Sequence, residues 1–280
     1  MNRFLENSRK GKNTWWRYVI SFLSIIVAFV IINLVVRSFI GDLRARFSGN
    51  DLAQDVIMYS LISFTFLFAL LIFGIVSTKL HQRPFITYIN IEKTFNMKAF
   101  IAGFLIFGIL IFISNLLTDY AKFELFLKDF QWKNFSLLFI FSFVSIAIQS
   151  FFEELVVRGY ILQGLSLKIK KLIPLLVVNS LIFGILHFGY GIESFTASFL
   201  FGLSLAWVVI LQNRIEYVTG AHLANNLVLS LFFIDLNEAT NKDFSWSFNF
   251  TEIGLHILLL LIFCSISFYL TKTNAFKESY

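Results

Sequence analysis

Few side chains in this 280-residue sequence could do chemistry, and those few recur at helical spacing inside apolar runs. Glu153, Glu154 and Arg158 stand in the stretch Phe-Phe-Glu-Glu-Leu-Val-Val-Arg-Gly-Tyr. Glu154 and Arg158 are four residues apart, share a helix face and can pair. Glu153 is turned about 100° from its neighbour on a 3.6-residue helix and finds no such partner. A carboxylate kept in an apolar run without a counter-charge is a candidate general base. Further on, Asn179, Phe183 and His187 follow one another at four-residue intervals, and His222 and Asn226 repeat that spacing. Each set lies on one helix face.

Depth brings the first two groups together. Glu153 and His187 each lie 17 residues from Lys170, so a helical hairpin turning there sets them level. A carboxylate, two imidazoles and a carboxamide then converge between three helices. That group sets a candidate general base beside further polar side chains, and its bland alternatives are structural. Glu154–Arg158 reads first as an ion pair in which each charge satisfies the other. A lone His187 would be a hydrogen-bonded core histidine, and Asn226 alone would be interhelical glue. Two histidines and an unpaired Glu153 in neighbouring spans shift the balance toward chemistry, or toward a proton path. His81 and His256 are expected at the interfaces, and Cys264 in packing.

The elements that must position these groups are membrane helices. Hydrophobic residues make up 58% of the chain and charged ones 14%, against about 25% charged in soluble domains. Phe occurs 37 times, and the mean hydropathy is +0.77. A water-soluble globule of this size would have to expose large apolar patches, which excludes a soluble enzyme, a secreted disulfide scaffold and a disordered chain. One cysteine excludes a disulfide framework and a Cys-based zinc cluster. At about 20 apolar residues per crossing the sequence predicts eight spans. They are Tyr18–Val36, Val56–Thr78, Ala99–Thr118, Phe135 to about Leu167, Leu172–Phe188, Ser194–Gln212, Ile215–Ile234 and Ile253–Thr271. The expected fold is therefore all-α, a polytopic helix bundle with the site between the fourth, fifth and seventh spans.

Charge orients the bundle. With the N-terminus inside, the cytoplasmic segments carry fifteen Lys/Arg, from Arg3 through Lys277, and the opposite side seven. That bias predicts a multi-pass protein of the cell membrane with both termini cytoplasmic. The net charge of +6 comes from residues flanking apolar runs, so it implies anionic leaflets and not nucleic acid. Three regions follow: residues 1–134, the N-terminal spans without motifs; 135–234, the core bearing the site; and 235–280, the last loop and span. No His-Glu-x-x-His, P-loop or dinucleotide fingerprint occurs, and neither rhomboid-like Gly-x-Ser-Gly nor Gly-x-Gly-Asp is present.

The order Glu-Glu-x-x-x-Arg, Phe-x-x-x-His, His-x-x-x-Asn resembles the CPBP family, the CAAX-protease and bacteriocin-processing group also called Abi. Its members include the type II CAAX prenyl endopeptidases and bacterial self-immunity proteins. The three motifs cover about Phe135–Ile234, and every motif position is matched: Glu153, Glu154 and Arg158, then Phe183 and His187, then His222 and Asn226.

The resemblance implies hydrolysis of peptide bonds in a hydrophobic peptide or membrane-protein substrate, within the bilayer of a bacterial cell membrane. By it, Glu153 and His187 activate water, while His222 and Asn226 stabilise the oxyanion. Glu154 and Arg158 support the site as an ion pair, and Phe183 packs within it. Family members are described both as metalloproteases and as metal-free glutamate peptidases. No obligatory cofactor is expected here; the alternative is zinc held by Glu153, His187 and His222 with a water. Two other functions compete: a non-catalytic immunity or scaffold protein, and a proton-coupled transporter, ranked lowest because no inverted repeat is present.

Overall fold

The computed structural model describes residues 2–234 and 244–276. Two of the charges counted above, Lys242 and Lys277, and the loop segment 235–243 lie outside the described residues. The main helices are α1 (Trp15–Arg46), α2 (Asp51–His81), α3 (Met97–Thr118), α4 (Trp132–Leu165), α5 (Leu172–Leu186), α6 (Ile192–Gln212), α7 (Glu216–Phe232) and α8 (Phe250–Lys272). Among the described residues the fold is all-α, with one isolated bridge between Asn90 and Arg214. Each predicted span coincides with a helix, because an apolar run in lipid must satisfy its backbone internally.

Six of the eight helices are long and apolar enough to cross a bilayer. The other two are the fifth and seventh spans of the prediction. Helix α5 has 15 residues and α7 has 17, about 22 and 26 Å at 1.5 Å per residue, short of a hydrocarbon core of about 30 Å. Helix α7 can be short because its wall is protein: every residue from Glu216 to Ala224 is buried. It carries polar residues that lipid would not tolerate.

Helix α4 is unusually long and changes character within the membrane. It is α-helical to Glu154, a π-helix over Leu155–Leu162, and α-helical again over Gln163–Leu165. Such wider turns are rare and concentrate at functional sites. Here the π-turns begin directly after the two adjacent glutamates and contain Arg158. Gly159 in the same turns lets the 85–90 loop close in, since a Cβ there would lie 2.4 Å from the Tyr88 carbonyl oxygen.

Glycines also set the crossing of α3 and α7. A Cβ on Gly103 would meet the Tyr217 carbonyl oxygen at 1.8 Å, and one on Gly220 would meet that of Phe100 at 2.0 Å. The two backbones touch, as small residues allow between membrane helices. Elsewhere phenylalanines interlock edge to face: Phe29 and Phe66 both meet Phe152, joining α1, α2 and α4.

The chain before α1 closes one end of the bundle. Phe4, Asn7 and Ser8 are buried. The Asn2 amide donates to the Ile210 carbonyl at 2.7 Å, and Asn7 donates to the carbonyls of Thr87 and Asn90. The C-terminal side reaches the same end, where Asn96 donates to the Phe276 carbonyl at 3.2 Å. Both described ends thus meet one end of the bundle, as an even number of helical passes requires. His81, expected at an interface, is instead a buried joint. Its Nδ1 is 2.8 Å from the Lys12 carbonyl and its Nε2 is 2.8 Å from the Tyr160 hydroxyl, which ties the N-terminal segment to the π-turns of α4. Tyr160→Phe is expected to lower stability by about 1–3 kcal/mol, the cost of leaving a buried polar nitrogen unpartnered. A fall in the thermal unfolding midpoint in detergent, without loss of helix content, is the readout.

Candidate active site

Helix α4 supplies the charges. Arg158 and Glu154 are fully buried, with Nη1 2.9 Å from Oε1. The guanidinium also reaches the Gly202 carbonyl of α6 through Nη2 at 3.4 Å, and its carbon lies 4.3 Å from the centre of the Phe183 ring. The sequence-predicted ion pair is therefore present. It does more than balance charge, because the same Glu154 oxygen is 2.8 Å from Nδ1 of His222. A carboxylate only accepts, so the imidazole proton sits on Nδ1 and donates to Glu154.

Glu153 is not the partnerless carboxylate of the prediction. Its Oε1 accepts from the Gln149 amide at 3.0 Å, and its Oε2 lies 3.8 Å from Nε2 of His222. Adjacent residues a third of a turn apart thus address opposite nitrogens of one ring. This is feasible because His222 comes from α7, across the bundle, and both carboxylates converge on it from α4. The result is a continuous polar chain, Arg158–Glu154–His222–Glu153–Gln149, inside an apolar bundle. Glu153 and His222 keep small exposed fractions, 17% and 3% of their side chains, whereas Glu154 has none.

Helix α5 adds Phe183 and His187. The Phe183 ring is 4.7 Å from the His187 ring and 5.8 Å, edge to face, from the His222 ring. One aromatic side chain therefore touches both imidazoles and the guanidinium. Its close fit depends on Gly202, where a Cβ would sit 3.2 Å from Phe183 and 3.3 Å from the Arg158 guanidinium. His187 ends α5, and its Nδ1 lies 2.9 Å from the Phe183 carbonyl. That carbonyl also only accepts, so the proton is on Nδ1 and Nε2 keeps its lone pair. Asn179, one turn before Phe183 on the same face, donates to the Val157 carbonyl within the π-turns at 2.8 Å and fixes α5 against α4.

Helix α7 adds Asn226 one turn beyond His222. The Asn226 side-chain oxygen accepts from the Asn225 amide at 2.9 Å, leaving its own NH₂ group as the donor. The structure thus gathers Glu153, Glu154, Arg158, Phe183, His187 and His222 through direct contacts. It places Asn226 on the same face of α7, half-exposed.

Three contributors escaped the sequence reading. Gln149 holds Glu153, Phe201 packs its edge on His222 at 5.5 Å, and Asn225 orients Asn226. Gln149 had a signal, a polar residue one turn before Glu153 on the same face. Phe201 had none, being one of 37 phenylalanines.

The donor set can be tested against a metal. A three-ligand zinc needs Glu153, His187 and His222 directed at one point about 2 Å from each. Among the described residues no three His, Cys, Asp or Glu side chains form such a group. The imidazole at ion-pair distance from Glu153 is that of His222, and the Phe183 ring lies against both imidazoles.

Residues 134–228 match a family model described as type II CAAX prenyl endopeptidase Rce1-like. The matched segment begins with α4 and ends in α7, and it contains every residue of the polar chain. Over 99% of its length the sequence is 26% identical to the uncharacterized protein YyaK of Bacillus subtilis (strain 168), 99% of which is covered in turn. No solved structure matches. The match over residues 134–228, in a bundle of membrane helices, bears out the resemblance to type II CAAX prenyl endopeptidases read from the three motifs.

Proposed function

We propose that the protein is an intramembrane endopeptidase that hydrolyses peptide bonds in hydrophobic peptides or membrane-protein segments, without an obligatory metal. The observation that carries this reading is the pair of carboxylates at opposite nitrogens of His222, Glu154 hydrogen-bonded at 2.8 Å and the partly accessible Glu153 at 3.8 Å. A scaffold has no need of a second carboxylate on an imidazole that Glu154 already orients.

The roles follow from which atoms are free. Glu153 takes a proton from a water, whose oxygen attacks the scissile carbonyl carbon. Nε2 of His187 bears a lone pair and accepts the water's other hydrogen, which fixes its direction of attack. As the tetrahedral oxyanion forms, the Asn226 amide donates to it. His222 completes the exchange. Its Nδ1 proton is held by Glu154, and its Nε2, beside Glu153, takes over the abstracted proton. The imidazolium then faces the oxyanion and passes that proton to the departing amide nitrogen as the carbon–nitrogen bond breaks. The neutral ring could not donate from Nε2, so this donor arises only as negative charge develops. Such timing favours the transition state over the ground state.

The test is purified protein in detergent with a library of quenched hydrophobic peptides. Cleavage is expected, with its rate unchanged after strong chelation and dialysis. Activity lost on metal removal and restored by zinc would sink the metal-free assignment. No cleavage of any peptide or membrane-protein substrate would return the chain to the immunity or scaffold class.

A further inference from the structure

We propose that a cavity at the end of the bundle closed by the N-terminal segment binds a glycerophosphate group, independently of the hydrolase reading. The cavity holds about 700 Å³ between the C-terminal ends of α6 and α8, the 91–93 loop and Arg3. Its charged lining is Arg3, Lys93, Arg214 and Glu92, a net charge of +2. Arg3 and Lys93 are exposed, while Arg214 is 95% buried and Gln212 is 92% buried.

Several of these groups lack partners. Arg214 bonds Glu92 through Nη2 at 2.6 Å, but its Nη1 has no hydrogen-bond partner among the described residues. Neither do Nε2 and Oε1 of Gln212 or Oε2 of Glu92. Buried polar groups are almost always paired, so four such atoms on three residues that line one cavity point to an occupant that draws them into it. The occupant must offer acceptors to Arg214 and Gln212, donors to Gln212 and Glu92, and negative charge to offset the excess of cations. A glycerol phosphate ester with free hydroxyls offers all three. Guanidinium and phosphate also match in geometry. Two sources carry this chemistry, a phosphatidylglycerol headgroup and soluble glycerol phosphate. Leu270 and Phe276 give the cavity an apolar wall suited to the start of an acyl chain, at the ends of two membrane helices.

The experiment uses the full chain in neutral detergent and reads the thermal unfolding midpoint. Titrants are phosphatidylglycerol, phosphatidylcholine and glycerol phosphate. Ligands that bind only the folded state raise the midpoint. Phosphatidylglycerol is expected to raise it by several degrees and phosphatidylcholine not at all. The double variant Arg3→Gln/Lys93→Gln should weaken the response on the order of tenfold in lipid concentration. Ala275→Trp, which fills the cavity without changing charge, should abolish it. Lys10→Gln/Lys12→Gln removes the same charge from the same end but off the cavity, and should leave the response in place. A shift with glycerol phosphate alone assigns the soluble source, and its absence alongside a phosphatidylglycerol shift assigns the lipid; both support the site. No shift with either overturns it. So does an equal loss in the Lys10/Lys12 pair, or an intact response in Ala275→Trp, because each would mean surface electrostatics alone.

Discussion

Glu153→Gln is expected to leave the protein folded and to slow peptide cleavage on the order of 10²–10⁴-fold, the usual contribution of a general base. The substitution keeps size and hydrogen-bonding capacity, and Gln149 can still donate to the new side-chain oxygen. Arg158 keeps its counter-ion in Glu154, and the contact given up is the looser one between Glu153 and Nε2 of His222 at 3.8 Å. Glu154→Gln removes the opposite kind of support. Arg158 would be left as a buried cation without its counter-ion, a change of about 3–5 kcal/mol. His222 would lose the charged acceptor that holds its proton on Nδ1 and keep only a neutral amide oxygen in its place. Folded yield and activity should fall together. The measurements are monodisperse yield and unfolding midpoint in detergent beside cleavage rate. If Glu153→Gln misfolds while Glu154→Gln stays folded and loses only activity, the two glutamates exchange roles.

A comparably large effect is expected far from any charge. Gly103→Ala or Gly220→Ala should largely abolish folded protein, because each new methyl would lie about 2 Å from a backbone oxygen of the facing helix. Overpacking a core costs about 1–3 kcal/mol when side chains can adjust. Here the obstacle is main chain, so α3 and α7 would have to separate along their crossing. The site would suffer with the fold, since His222 lies two residues beyond Gly220. Gly254→Ala in α8 and Gly41→Ala in α1 are the controls. Neither would meet an atom within 4 Å, and Ala is the better helix former by about 1 kcal/mol. Unchanged or raised unfolding midpoints in the controls, with loss of monodisperse protein in the first pair, is the expected pattern. Near-normal yield from Gly220→Ala would mean that the crossing can open without unfolding.

The sequence by itself determined what depends on local chemistry. Apolar run length marked all eight helices, because in lipid a segment either satisfies its own backbone or is excluded. Four-residue spacing put Phe183 above His187 and Glu154 beside Arg158, since those relations lie within one helix. The clustering of ionisable residues in three apolar runs also marked the site, because isolated charges are too costly to keep there. What the tertiary structure decided lies between helices. Whether Glu153 meets His187 or His222 depends on how α4, α5 and α7 are rotated and tilted, which no spacing records. That rotation depends on the backbone contacts at Gly103 and Gly220 and on the π-turns after Glu154, which interrupt the regular helix assumed between Glu153 and the turn at Lys170. The shortness of α5 and α7 was hidden for a related reason: apolar residues at their ends read as span whether they face lipid or protein. The N-terminal segment was equally opaque. Nothing in its spacing shows that Phe4 and Asn7 are buried with hydrogen-bond partners some 80 to 210 residues away in the chain. Local energetics fixes which segments are helices; the pairing of distant polar groups follows from the one packing in which they satisfy one another.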